Sequence, residues 1–231
     1  LIGYTQLKKY EEARKIVPRC IEYVREGTHN WFVVYDYHMI LSFHSGDFQE
    51  AYEVSQSVLN HSKLKYQKES VIEHWIIHEA YIYYLISIGK IQPDEDNPVK
   101  KFRISKFVNE VPLFSKDKRG TNISIIIIQI LFLLHQQEYG RIIDRMESLK
   151  TYNQRYLRRD DTFRSNCFIR MLLTLPECSF HKTAVLRKAQ KYWEKLQEVP
   201  LDVAKQSAEI EIIPYETLWG FVLEALDEKW H

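Results

Sequence analysis

The 231 residues suit one elongated helical array or one to two compact domains. Hydrophobic residues make up 45%, enough for a sizeable core, while 7 Gly and 7 Pro are too few for the frequent turns of a sandwich or barrel. A formal net charge of +1 predicts no strong global attraction to nucleic acid or to an anionic membrane.

Periodicity and breakers predict helices along the whole chain. The sequence begins at Leu1, without Met, inside a helical pattern, and reads as a piece of a longer protein. Tyr10–Glu26 closes a first pair over 1–26. Asn30–Ser45 and Phe48–His61 make a second, over 30–61. Lys68–Ile88 is a long helix with an irregular partner at Asn97–Val108, over 68–108. Asn122–Gln136 and Tyr139–Leu157 follow over 122–157, then Asp161–Leu175 and Lys182–Val199 over 161–199. Pro214–Lys229 is a terminal helix, with Pro214 suited to a first turn. Gln92–Pro98 and Leu113–Arg119 read as loops. The most apolar run, Ile123 to Leu134, has 12 residues. A membrane span needs about 20, so the run reads as a buried helix.

One local pattern recurs. Tyr10-Glu11-Glu12-Ala13, Phe48-Gln49-Glu50-Ala51 and Tyr139-Gly140-Arg141-Ile142 each put an aromatic three residues before a small or aliphatic one. Positions i and i+3 share a helix face, so the aromatic can plug a corner between helices. Aligning Trp31 with Trp75 also puts Tyr37 on Tyr81 and Leu41 on Leu85. Thr28 and Thr121, each just after a Gly, are placed as N-caps.

The elements Tyr10–Ala13 and Gly46–Ala51 resemble the turn and second-helix start of the tetratricopeptide (TPR) repeat. The match is good over about residues 1–60, weaker over 70–160 and poor beyond. Ala13 to Ala51 spans 38 residues, whereas the family repeats every 34 or so. The resemblance implies an all-α, right-handed α-solenoid of antiparallel helix pairs in a single domain, 1–231. Helix 214–229, with an apolar stripe and a charged face, would be its cap.

Chemistry-bearing residues are sparse. Cys20, Cys167 and Cys178 are odd in number and contain no CxxC, so a reducing, cytoplasmic setting is expected, with Cys167 and Cys178 as small core hydrophobes. His74 and His78 share a helix face, but Trp75 replaces the Glu a zincin needs and no third ligand is evident. Neither a metal nor another cofactor is expected. No GxSxG, P-loop or GxGxxG occurs, so nothing positive supports an enzyme. A basic segment holds Lys100, Lys101, Arg103, Lys106, Lys116, Lys118 and Arg119. The tail is acidic, with Asp202, Glu209, Glu211, Glu216, Glu224, Asp227 and Glu228. Solvated faces are the simpler reading of both. Around Tyr152, Arg155, Tyr156, Arg158, Arg159 and Arg164, local salt bridging is preferred over phosphate contact.

The leading expectation is a protein- or peptide-binding scaffold using the concave face of a repeat array, with Tyr35, His38, Trp75, His78 and Tyr81 lining the groove. A regulatory sensor domain of a larger transcriptional or signalling protein is the first alternative. Nucleic-acid binding through 100–119 is the second.

Overall fold

A computed structural model describes residues 1–93, 103–104, 107, 121–156, 163–199, 201 and 211–227. Among these it is all-α, with ten α-helices, one short 3₁₀ turn at Leu64–Tyr66 and no strand. The chain divides into two compact units, Leu1–Ser115 and Lys116–His231. Most of the helix expected at 97–108 lies outside the described residues, as do most of the two expected loops.

The first unit contains α1 (Ile2–Gln6), α2 (Tyr10–Glu22), α3 (His29–Ser45), α4 (Phe48–Leu59) and α5 (Glu69–Ser87). Each packs on its chain neighbour, and α1 also reaches α3. In α2, Ala13 and Val17 are one turn apart and buried, and they pack with Leu41 of α3. In α3 and α5 apolar residues run almost all the way round, so both helices are buried on several sides. Trp75, Tyr81 and Tyr84 of α5 and Phe32 and Phe43 of α3 are among the largest fully buried side chains. Burying each stabilises the fold by about 2–3 kcal/mol before entropy is charged.

Backbone chemistry explains where these helices stop and restart. Gly46 adopts a left-handed φ of +79°, which few L side chains tolerate. There its amide reaches back to the Phe43 carbonyl at 3.3 Å, and that of Asp47 to Ser42 at 3.0 Å. Asp47 then caps α4, its carboxylate accepting from the Glu50 amide at 3.0 Å. Lys8 and Gln137, at φ 56° and 57°, make the same closure. Lys9 donates to Tyr4 at 2.9 Å and Glu138 to Leu133 at 2.8 Å.

The left-handed residue thus stands two positions before the aromatic at each recurring corner: Lys8 before Tyr10, Gly46 before Phe48, Gln137 before Tyr139. The aromatic is the first helical residue, and Ala13, Ala51 and Ile142 are fully buried behind it. A fourth corner, one residue longer, runs through Ser179 and Phe180 and buries Val185 in the same way. The ring of Phe180 lies 4.4 Å from that of Tyr139.

Thr28 occupies the N-cap position of α3, as expected, but its hydroxyl donates to the Arg25 carbonyl at 2.7 Å and caps no helical amide. The turn before it needs Gly27 because its φ of +73° strains any residue with a Cβ, which would also lie 2.8 Å from the His61 ring. Thr121, also expected as a cap, is the first helical residue.

The second unit contains α6 (Thr121–His135), α7 (Tyr139–Tyr156), α8 (Phe163–Glu177), α9 (Lys182–Glu198) and α10 (Tyr215–Asp227). Neighbours pack in chain order, and α10 then returns to α6, the first helix of the unit. In α10, Tyr215, Leu218, Trp219, Phe221, Val222, Ala225 and Leu226 are all buried. That is wider than the single stripe read from the sequence. Pro214 immediately precedes the helix, and its carbonyl accepts from Thr217 and Leu218. No helix among the described residues is long and apolar enough to cross a membrane.

Candidate binding surface

Polar chemistry in the first unit gathers in two clusters, one where α2, α3 and α4 meet and one between α3 and α5. Arg14 of α2 donates to Glu50 of α4 at 3.1 Å and to Ser45 at 2.6 Å. It also meets Glu11 at 3.0 Å and Asp47 at 3.3 Å. Glu50 accepts further from the Ser42 hydroxyl at 2.9 Å and lies 3.2 Å from His38 Nε2. Burial pushes the Glu50 carboxyl up. The hydrogen bonds from His38, Ser42 and Arg14 outweigh it and hold the group at about 2.

The second cluster joins α3 to α5. His78, 1% exposed, places Nε2 2.8 Å from Asp36 Oδ1. Desolvation raises the Asp36 carboxyl, and the hydrogen bond from His78 more than reverses this, so it sits below its ordinary value. The Trp75 and Phe43 rings flank the His78 ring at 5.2 and 6.0 Å.

These contacts decide where the expected groove residues lie. Trp75, His78 and Tyr81 are each 1% exposed; the His78 and Tyr81 rings lie near Phe43 of α3, and Trp75 packs on His78. Tyr35 is half-buried, its ring 4.1 Å from Trp31. His38 is half-buried and held by Glu50. The structure therefore brings His38 and His78 to different polar clusters, and only Tyr35 and His38 of the five keep solvent contact. The accessible stripe of α3 instead carries Asn30, Val33, Val34 and Tyr37. That of α5 carries Ile72, Ile76, Glu79 and Tyr83. Sequence reasoning passed over Val33, Ile76 and Tyr83. Val33 lies on the face of α3 opposite Trp31, and Ile76 and Tyr83 lie about a quarter turn round α5 from Trp75.

His74 and His78 have ring centroids 6.3 Å apart. Among the described residues no group of three His, Cys, Asp or Glu is arranged to hold a metal ion. Of the basic segment, Lys100, Lys101, Lys106, Lys116, Lys118 and Arg119 lie outside the described residues, and Arg103 is exposed. Cys167 is buried, whereas Cys178, expected in the core, is half-buried. All three thiols are free.

Arg164 is the one cation of the Tyr152–Arg164 group whose surroundings are described, and it is internal. Its guanidinium donates to Glu211 at 2.6 and 3.2 Å, to Glu216 at 2.8 and 2.9 Å, and to the Leu196 and Val199 carbonyls. Both Arg164 and Glu211 are buried. Desolvation works against the Arg164 charge, but the two carboxylates outweigh it and hold its pKa above the usual value. All its donors are engaged, so it is a staple between α8, the end of α9 and the start of α10. It is not a phosphate contact. Two residues of the acidic tail are spent on it.

Comparison with protein-family models, with curated proteins and with solved structures finds no match to this chain.

Proposed function

We propose that the chain is a protein- or peptide-binding scaffold. Its first unit would stack TPR-like antiparallel helix pairs in a right-handed α-solenoid. One observation carries the reading: alternate helices touch. α1 reaches α3, α3 meets α5 through Asp36 and His78, and α2 meets α4 through Arg14 and Glu50. Contacts at i+1 and i+2 along the chain are what two stacked layers of helices require. The layer of α1, α3 and α5 would then be one wall. Its accessible residues Val33, Tyr37, Ile76 and Tyr83 offer apolar area with hydroxyl tips, a composition suited to an extended peptide. His38, one turn on from Val34, lies at its margin, and Tyr35 packs on Trp31.

Selection of a random peptide library on the whole chain tests this. Enriched peptides should bind the wild type and lose about tenfold or more in affinity to the Tyr37→Ala/Ile76→Glu variant. Peptides that bind the variant unchanged, or no enrichment at all, would reject the groove.

A further inference from the structure

On α9 the cations Arg187, Lys191 and Lys195 recur every four residues and are all exposed. They form one stripe on the side away from the buried Val185, Ala189 and Leu196. Successive members are about 6 Å apart along the axis. Arg170, exposed on α8, stands beside this stripe, 5.7 Å from the Tyr192 ring, and Lys191 Nζ lies 4.7 Å from the same ring. Burial raises the Tyr192 hydroxyl, but hydrogen bonds from Arg170 and Lys191 draw it below its ordinary value, so these cations converge on one spot.

Three other cations near these two helices are matched. Lys188 pairs with Glu177 at 2.7 Å, Lys182 with Asp227, and Arg164 with two carboxylates. Among the described residues, Arg170, Arg187, Lys191 and Lys195 have no carboxylate in ion-pair contact. Of the acids beside the stripe, Glu194 is held by Gln190 at 2.9 Å.

We propose that this face of α8 and α9 docks an acidic α-helix of a protein partner. A helix carrying Asp or Glu at i, i+4 and i+8 repeats its charge at the same spacing as Arg187, Lys191 and Lys195 when it lies alongside α9. Glu194 and Glu198 interrupt the cationic stripe. They oppose a uniformly charged polyanion such as nucleic acid or an anionic membrane surface, whereas a helix with spaced carboxylates avoids them. The site is on a different unit from the proposed groove and does not depend on it.

The test uses the whole chain and a fluorescent helical peptide of about 18 residues with Glu at every fourth position. Anisotropy should report binding at about 50 mM salt that weakens several-fold at about 300 mM. Lys191→Glu/Lys195→Glu should weaken it about tenfold or more, Lys191→Arg/Lys195→Arg should preserve it, and Tyr37→Ala/Ile76→Glu should leave it unchanged. Circular dichroism checks that each variant is folded, and Lys191→Gln/Lys195→Gln replaces the reversal if that fails to fold. Absence of peptide binding, equal binding by the reversed and wild-type chains, or tighter binding to oligo-dT or to phosphatidylserine vesicles would overturn the proposal.

Discussion

Arg164 and Glu211, 47 positions apart, meet in a two-pronged ion pair with Nε to Oε1 at 2.6 Å and Nη2 to Oε2 at 3.2 Å. Their side chains are 8% and 1% exposed. A pair this deeply buried costs more to break than it contributes when intact, because removing one partner strands the other charge. Arg164→Met should therefore destabilise the chain by about 3–5 kcal/mol. Arg164→Met/Glu211→Leu should recover part of that loss, because no charge is stranded in the core although the Leu196 and Val199 carbonyls and the Tyr215 amide still lose their partners. Urea unfolding followed by circular dichroism measures both. Equal losses in the single and double variants would show that the pair is not coupled in this way.

Glu50 gives the clearest pH dependence. Its carboxyl is held at about 2 in the fold against 4.5 ordinarily. A depressed carboxylate stabilises the fold fully above its unfolded value, and the benefit is lost as pH falls through the folded one. The advantage of wild type over Glu50→Gln should be up to about 3 kcal/mol at neutral pH. It should shrink between about pH 4.5 and pH 2. A difference that stays constant over that window would place the effect of the substitution in packing rather than in charge.

Left-handed helix ends offer a stabilising change. Gln137 holds φ 57°, where Gly carries no Cβ penalty. Gln137→Gly should raise stability by about 0.5–1 kcal/mol. Gly46→Ala should lower it by about 1 kcal/mol, through strain alone, since a Cβ there meets nothing within 4 Å. Thermal melts of the two variants should move in opposite directions.

Trp75 and Tyr37 separate packing from binding. Trp75 is 1% exposed and Tyr37 is 36% exposed. Trp75→Ala should cost about 3–5 kcal/mol by leaving a cavity, whatever the ligand. Tyr37→Ala should cost about 0.5 kcal/mol or less. Peptide affinity should fall for Tyr37→Ala under conditions where both variants are folded.

Helix positions were legible because they depend on local signals. The expected Asn30–Ser45 is observed as His29–Ser45, and Lys68–Ile88 as Glu69–Ser87. The aromatic corners were also legible, since three identical spacings meant three identical turns. Side-chain direction was harder to read. On helices apolar nearly all round, Trp75, Tyr81 and Val33 look alike in sequence, and only packing across α3 and α5 separates buried from accessible. Long-range pairs left no trace either. Arg164 finds Glu211 and Glu216, and Asp36 finds His78, through folding that spacing does not encode. The residues at Lys100–Lys101 and Lys116–Arg119 lie outside the described residues, so the basic segment stays as composition alone.

The return of α10 to α6 has a consequence for growth. An open stack gains or loses a helix pair by duplication or deletion at little cost. The unit from Lys116 cannot do so without parting the seam between its first and last helices. Synthesis feels the same constraint. The isoleucine-rich α6 ends at His135, and the helix that covers its flank starts at Tyr215, 80 positions later (215 less 135). At ribosomal speeds that flank waits several seconds for its cover. Over that interval the nascent chain is the form most exposed to aggregation and to chaperones.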